Sequence, residues 1–265
     1  MKPYCVPEKT EKYTGYDMIR KHTDIPALPD ARLRLLHAFL EASDSSEGSE
    51  VFGTVTALLQ TGLDIHDRVA PGDDSEEEGA MRSRQLKVLA GDYYSSRFYE
   101  LLAAAGEIDM IAELSRAIAD VNRSKMELYL RMQRGDELEL PQYLNELAAI
   151  KVRLFQSFDS LLDGELLPLW RKLLHLVGLC EAAAEELAAV RGGTDFDVFT
   201  FREAELPGEA EGNLEERLSK FLRDSAAELE AGIESLPVRV ERGGLHPVAR
   251  GFAAAAEAKG EVMGG

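Results

Sequence analysis

Cysteine is nearly missing from this 265-residue chain, which has only Cys5 and Cys180. So widely separated, the two make no metal-ligand or redox spacing, and both are expected as free thiols. Aromatic residues are scarce at 7%. Runs of β-branched and aromatic residues of strand length are nearly absent, which favours packed helices over a sheet. Basic residues are outnumbered, 30 against 48 acidic, giving a net charge of −18 and a pI near 4.7. A field of that sign repels phosphate backbones and anionic lipid, so no nucleic acid and no stable membrane insertion is expected. No window approaches the ~18 uninterrupted apolar residues of a spanning helix. The opening MKPYCVPEKTEKY lacks the apolar segment of a signal peptide. The expected location is therefore cytoplasmic. Also lacking are a Gly-rich phosphate loop, a CxxC, a G-x-S-x-G elbow and the ExxH pair of a di-iron bundle.

What is there is Leu and Ala at helical spacing, with 45% of residues hydrophobic. Asp30 after Pro29 is a good N-cap for a helix carrying Leu33, Leu36, Phe39 and Leu40. A helix beginning near Glu50–Val51 runs to the breaker Pro71–Gly72. Another spans about Ile108 to Gln133, with Ile111, Leu114, Ile118, Val121, Met126 and Leu130 inside. Pro141 opens the next, closed by Gly164, and a further long one ends at Gly192–Gly193. A short helix is expected at Tyr16–Lys21 and a strand-like run at 195–201. A linker follows that run, then a helix over Leu214–Ile233 and a weak Ala-rich one near the end. The fold class is all-α, an antiparallel bundle over residues 1–193 with a C-terminal linker and helical extension, 194–265, packed on it or trailing.

Two stretches organise the bundle. Leu58–Val69 reads LLQTGLDIHDRV and Arg84–Leu102 reads RQLKVLAGDYYSSRFYELL. Each has an apolar stripe, and the acidic PGDDSEEEG between them has no apolar residue, so they pair as antiparallel helices. LLQTGLDIHDRV resembles the segment of trans-prenyl diphosphate synthases that runs into their first aspartate-rich motif. VLAGDYY resembles the LAGDxL stretch of their following helix. Within that superfamily the pattern is most similar to the small subunit, component I, of two-component heptaprenyl diphosphate synthases.

The resemblance implies an isoprenoid-synthase-like bundle and a definite chemistry. Such enzymes separate pyrophosphate from an allylic cation using magnesium held between two acidic motifs, with Lys and Arg on the phosphates. Aligned on the His-Asp step, this chain keeps Asp67 for the first acid but places Arg68 at the second and Pro71 at the third. Asp64, His66, Asp67 and Arg68 thus make a degenerate first motif, while Asp73 and Asp74 read as a solvated charge run. In GLCEAAAEELAA, Glu185 and Glu186 stand where the second motif has its leading acids, although a solvated helix face also explains them and Glu181. AAIKVRLF is similar to the family's IxKTAxLF, so Lys151 is a candidate diphosphate contact. Arg84, with Arg82, is a weaker echo of the RRGxPT arginines. Gly91–Asp92 reads as a packing device.

No catalytic residue and no bound metal or other cofactor is expected in this chain. The resemblance implies a non-catalytic, regulatory partner in a heterodimeric prenyltransferase, most similar to that making heptaprenyl diphosphate for menaquinone. A catalytic large subunit, component II, would carry magnesium and the prenyl diphosphate substrates. Tyr93, Tyr94, Phe98 and Tyr99 wrap most of one helix and are the interface candidates, with a large bundle core as the competing explanation. Two other readings stay open: a helical scaffold unrelated to prenyl transfer, and a stand-alone terpene-type synthase using Asp64, Asp67 and Glu185.

Overall fold

A computed structural model describes residues 2–16, 19–20, 23–69, 78–136, 138–192 and 211–258, with backbone alone at 211–213. Pro71, Asp73 and Asp74, the strand-like run at 195–201, most of the linker after it and the last residues lie outside these. So do Asp17, Met18 and Lys21 of the helix expected at Tyr16–Lys21. The described residues form nine α-helices and no strand. They are α1 (Val6–Thr14), α2 (Asp30–Glu41), α3 (Ser49–Asp67), α4 (Glu78–Ala105), α5 (Ile108–Gln133), α6 (Leu140–Arg153), α7 (Leu166–Val190), α8 (Glu211–Glu234) and α9 (His246–Glu257). The chain divides into two compact units, residues 1–115 and 116–265.

In the first unit α3 is the buried helix. Fourteen of its nineteen residues are inside, and a helix apolar all round belongs in a core. Its buried threonines return their hydroxyls to the chain: Thr56 Oγ1 donates to the Phe52 carbonyl at 2.7 Å and Thr61 Oγ1 to that of Ala57 at 2.8 Å. The polar groups are thereby satisfied without leaving the helix. Packed along α3, antiparallel, is α4. A Cβ on Gly62 would meet the Gly91 carbonyl oxygen at 2.9 Å and the Ser95 nitrogen at 3.1 Å. Leu58, Ile65, Ala90 and Tyr94 fill the seam. Each fully buried Leu or Ile side chain contributes roughly 1.5–3 kcal/mol.

Asp30 does not cap α2. It is the helix's first residue, after Pro29 at the cap position. Its carboxylate instead accepts from Tyr4 Oη at 2.7 Å and from Arg34 Nε at 2.6 Å. Burial, reinforced by this contact, raises the Tyr4 hydroxyl pKa.

In the second unit α6 packs closely on α7. Gly178 faces Val152 and the Ala148 carbonyl closely enough that a Cβ would stand 2.6 Å and 3.1 Å from them. Gly135 and Gly192 end α5 and α7 with φ of 70° and 84°, a left-handed turn that suits glycine. On α5, Met126 and Leu130 are exposed, contrary to the expected stripe, and Met110, Ala117 and Leu128 are inside instead.

The division at residue 115 differs from a boundary at 193, because the helices beyond 193 belong with α7. Gly232 of α8 packs on Leu173 of α7. Arg191, just past α7, donates Nε to Glu215 Oε1 at 2.7 Å, Nη2 to Ser219 Oγ at 3.2 Å and Nη1 to the Ala255 carbonyl at 2.9 Å. One guanidinium so fastens α8 and α9 to the end of α7. Cys5 and Cys180 are free thiols.

Candidate functional site

The end of α3 carries the first motif. Asp64 is half-buried and its Oδ1 accepts from Gln60 Nε2, one turn earlier, at 2.7 Å. Gln60 in turn accepts through Oε1 from Arg32 Nη1 at 3.3 Å, and both residues are buried. A chain of polar groups therefore leads from a buried guanidinium in α2 to the Asp64 carboxylate. Sequence reasoning placed Gln60 at this helix end but missed its bond to Asp64, and it missed Arg32. Gln60 was visible only as the residue at i−4 from Asp64, and Arg32 sits among apolar neighbours. Asp67 and Arg68 are exposed at the helix end.

His66 turns toward α4. Its ring lies over Gly91, where a Cβ would stand 2.6 Å from Nε2, and Nε2 is 3.3 Å from Asp92 Oδ1. Asp92 is 67% exposed. Gly91–Asp92 is thus a docking place for the His66 ring, the packing reading of that pair. Arg84 is half-buried on α4, and Arg82 pairs with Glu78 at 3.1 Å on the surface.

In the second unit Lys151 of α6 and Glu185 of α7 form an ion pair. Glu186 is no solvated acid. It is 6% exposed, and its Oε1 accepts from Tyr143 Oη at 3.0 Å. Adjacent residues on a helix diverge by about 100°; Glu185 faces out to a lysine while Glu186 faces in to a tyrosine. Tyr143, on α6, gave no sequence signal because the pairing is tertiary.

Magnesium takes oxygen ligands at about 2.0–2.1 Å in a near-octahedral array. The described residues do not fit it. The first motif offers Asp64, already hydrogen-bonded by an amide, and Asp67 beside the cation Arg68. The second offers one carboxylate facing Lys151 and one held by a phenol.

Residues 16–223 match the family described as heptaprenyl diphosphate synthase (HEPPP synthase) subunit 1. The chain belongs to that family. A stretch of 72 residues is 46% identical to heptaprenyl diphosphate synthase component 1 of Geobacillus stearothermophilus, spanning 27% of this chain and 30% of that protein. Similar solved structures include a decaprenyl diphosphate synthase from Rhodobacter capsulatus, TM-score 0.64 at 13% identity over 95% of each chain. A geranylgeranyl pyrophosphate synthase from Lactobacillus brevis gives 0.62 at 14%, over 94% of this chain and 96% of that one. A polyprenyl synthase from Caulobacter crescentus, solved with calcium and isoprenyl diphosphate, gives 0.60 at 16%, over 95% and 93%. At such identities the likeness establishes the all-α isoprenoid-synthase fold.

The four aromatic interface candidates separate into two kinds. Tyr94 and Phe98 are 0% and 1% exposed and belong to this chain's core, so they face no partner. Tyr93 is half-buried, with Arg97 over its ring. Tyr99 is 50% exposed. With Met81 and Val88, also exposed, it lies within about 20° on one side of α4, at 100° per residue. Among the described residues no helix is long and apolar enough to cross a membrane.

Proposed function

We propose that this chain is the non-catalytic, regulatory subunit of a two-component trans-prenyl diphosphate synthase, acting with a catalytic large subunit to make heptaprenyl diphosphate. The observation that carries this reading is that Asp67 stands beside the cation Arg68 while the other three candidate acids are engaged within the protein. Asp64 is bonded to Gln60, Glu185 to Lys151 and Glu186 to Tyr143. A carboxylate held by an amide, an ammonium or a phenol is costly to redirect to a metal, since each partner would be stripped of its hydrogen bond. Magnesium and the prenyl diphosphates are then held by the large subunit, and this chain binds neither metal nor other cofactor for the reaction.

Membership in a family described as subunit 1, and the likeness to a component 1, support a second component. The side of α4 bearing Met81, Val88 and Tyr99 is the surface we assign to it. A helical partner there walls off the long apolar product from water and sets its length. The product supplies the side chain of menaquinone, and the complex works in the cytoplasm.

The test is reconstitution. Purified alone, the chain is expected to give no product from allylic diphosphate, isopentenyl diphosphate and magnesium. Mixed with the large subunit, it is expected to give a seven-unit product that the large subunit alone does not make. Turnover by the isolated chain overturns the non-catalytic reading, and a product of unchanged length and rate on mixing overturns the regulatory one.

A further inference from the structure

Helix α4 overshoots the helix it packs on. α3 ends at Asp67, and the ring of His66 lies over Gly91. α4 begins at Glu78, so residues 78–89, about 18 Å of helix at 1.5 Å per residue, stand beyond that crossing. None of them is buried, and Ala90 is the first residue of α4 inside. Met81, Val88 and Leu89 are exposed, Leu89 at 62%. They share these turns with Arg82, Arg84 and Lys87 and with a single carboxylate, Glu78, which pairs with Arg82. The chain as a whole carries a net charge of −18, so this basic, apolar arm differs in sign from the protein that bears it.

We propose that residues 78–89 are an arm gripped by the second component, in an apolar groove with acidic residues at its rim, and that their helix becomes protected only in the complex. The proposal rests on the two-component reading above and adds to it the chemistry of the contact and its coupling to helix formation. An isolated helix shorter than about 12–15 residues is marginal in water. Growth of α4 outward from Ala90 brings no buried side chain to offset the lost backbone entropy, and Gly79 adds to the cost. Turns of this kind open readily in the free chain. A partner that covers them supplies the missing burial and pays the ordering cost on binding.

The charges choose the occupant. Two copies of this chain paired symmetrically along the arm would set Arg84 and Lys87 against their own equivalents, within two chains of −18 each. A groove rimmed by acids suits both features of the arm at once: Met81, Val88 and Leu89 enter it, and the cationic groups stay at its edge. The family's description as subunit 1 supplies a separate chain to carry such a groove.

The experiment is amide hydrogen exchange on the full chain, free and mixed with the large subunit, read peptide by peptide. In the free chain, residues 80–89 are expected to exchange at least about a hundredfold faster than residues 94–102, where Tyr94, Phe98 and Leu102 are buried. In the complex, exchange at 80–89 is expected to slow at least about tenfold. Leu89→Asp is expected to weaken association at least about tenfold while the free chain melts as before, since Leu89 lies on the surface. Lys87→Glu is expected to weaken it several-fold, by a factor that shrinks as salt is raised. Association with no change in exchange at 80–89 overturns the arm and leaves the two-component reading standing. Slow exchange at 80–89 in the free monomer also overturns it, because the helix then needs no partner. Protection that grows with the concentration of the free chain alone overturns it in favour of a second copy. Failure of wild type to associate with the large subunit overturns the two-component reading itself, and the arm with it.

Discussion

The imidazole of His66 lies against the backbone of Gly91, where any Cβ would come within 2.6 Å of Nε2. One turn away, Gly62 is closed differently, with the Gly91 carbonyl oxygen at 2.9 Å and the Ser95 nitrogen at 3.1 Å from a notional Cβ. A ring at the end of a side chain can swing aside, and backbone cannot. Alanine gains about 1 kcal/mol over glycine in helix propensity at either position. At Gly91 that gain offsets the displaced ring, so Gly91→Ala is expected within about 1 kcal/mol of wild type while losing the His66–Asp92 contact. Gly62→Ala forces α3 and α4 apart and is expected to cost about 2–3 kcal/mol net. Urea melts of the two variants check the order, and an equal effect would refute the helix-contact argument.

Tyr94 gives a second prediction. Its ring is fully buried, yet among the described residues its hydroxyl has no hydrogen-bond partner. Burial, with a smaller contribution from Tyr93, pushes its pKa up to about 12. Removing the hydroxyl leaves the ring packing intact and relieves a stranded polar group. Tyr94→Phe is expected to match or exceed wild-type stability by up to about 1 kcal/mol, and Tyr94→Ala to lose about 3–5 kcal/mol. Tyr99→Ala is expected to leave the isolated chain as stable as before and to weaken its association with the large subunit. Circular-dichroism melts and a binding titration separate the three variants. A clear loss in Tyr94→Phe would mean that the hydroxyl has a partner.

The long helices were legible because their punctuation is local. The range Ile108–Gln133 follows from Gly106, the apolar spacing and Arg134–Gly135, and it is the range found. The interior of that helix was less legible. Met126 and Leu130 continue the stripe in sequence, but among the described residues nothing covers them and they are exposed. Tyr94 and Tyr99 look alike in sequence, and only the packing of α4 on α3 makes one core and the other surface. The remnant motifs were visible as letters. Their partners were not, because Tyr143 with Glu186 and Arg32 with Gln60 are separated by 43 and 28 residues.

Cys180 ties stability to alkaline pH. Burial, reinforced by Glu181, raises its thiol from the ordinary value near 9.0 to about 12. The folded chain therefore keeps a proton that the unfolded chain releases. That contribution is complete below about pH 9 and is lost as pH climbs from there toward 12. Cys180→Ala is expected to flatten the fall of stability between pH 9 and 11. In wild type at pH 8, a thiol reagent is expected to modify Cys180 only after unfolding, because the thiol is both buried and protonated. Peptide mapping after timed alkylation reads this directly, and rapid labelling of native Cys180 would contradict it.

Lys151 decides whether any diphosphate contact survives in this subunit. On the geometry found, its ammonium faces Glu185, and the two charges neutralise one another at the surface of α6 and α7. A cation so paired attracts a phosphate less, since the carboxylate must first be displaced and would then repel the anion. Lys151→Met in the reconstituted complex is therefore expected to change kcat/KM for the prenyl diphosphates by less than about threefold. Loss of a direct ammonium–phosphate contact would instead cost roughly 1.5–3 kcal/mol, about tenfold to a hundredfold. Glu185→Gln sharpens the comparison, because it frees the ammonium while keeping the side-chain size. An unchanged KM in both variants leaves the pair as a surface tie between two helices. A lower KM in Glu185→Gln, reversed by adding Lys151→Met, would return Lys151 to the diphosphate and show the glutamate acting as its brake.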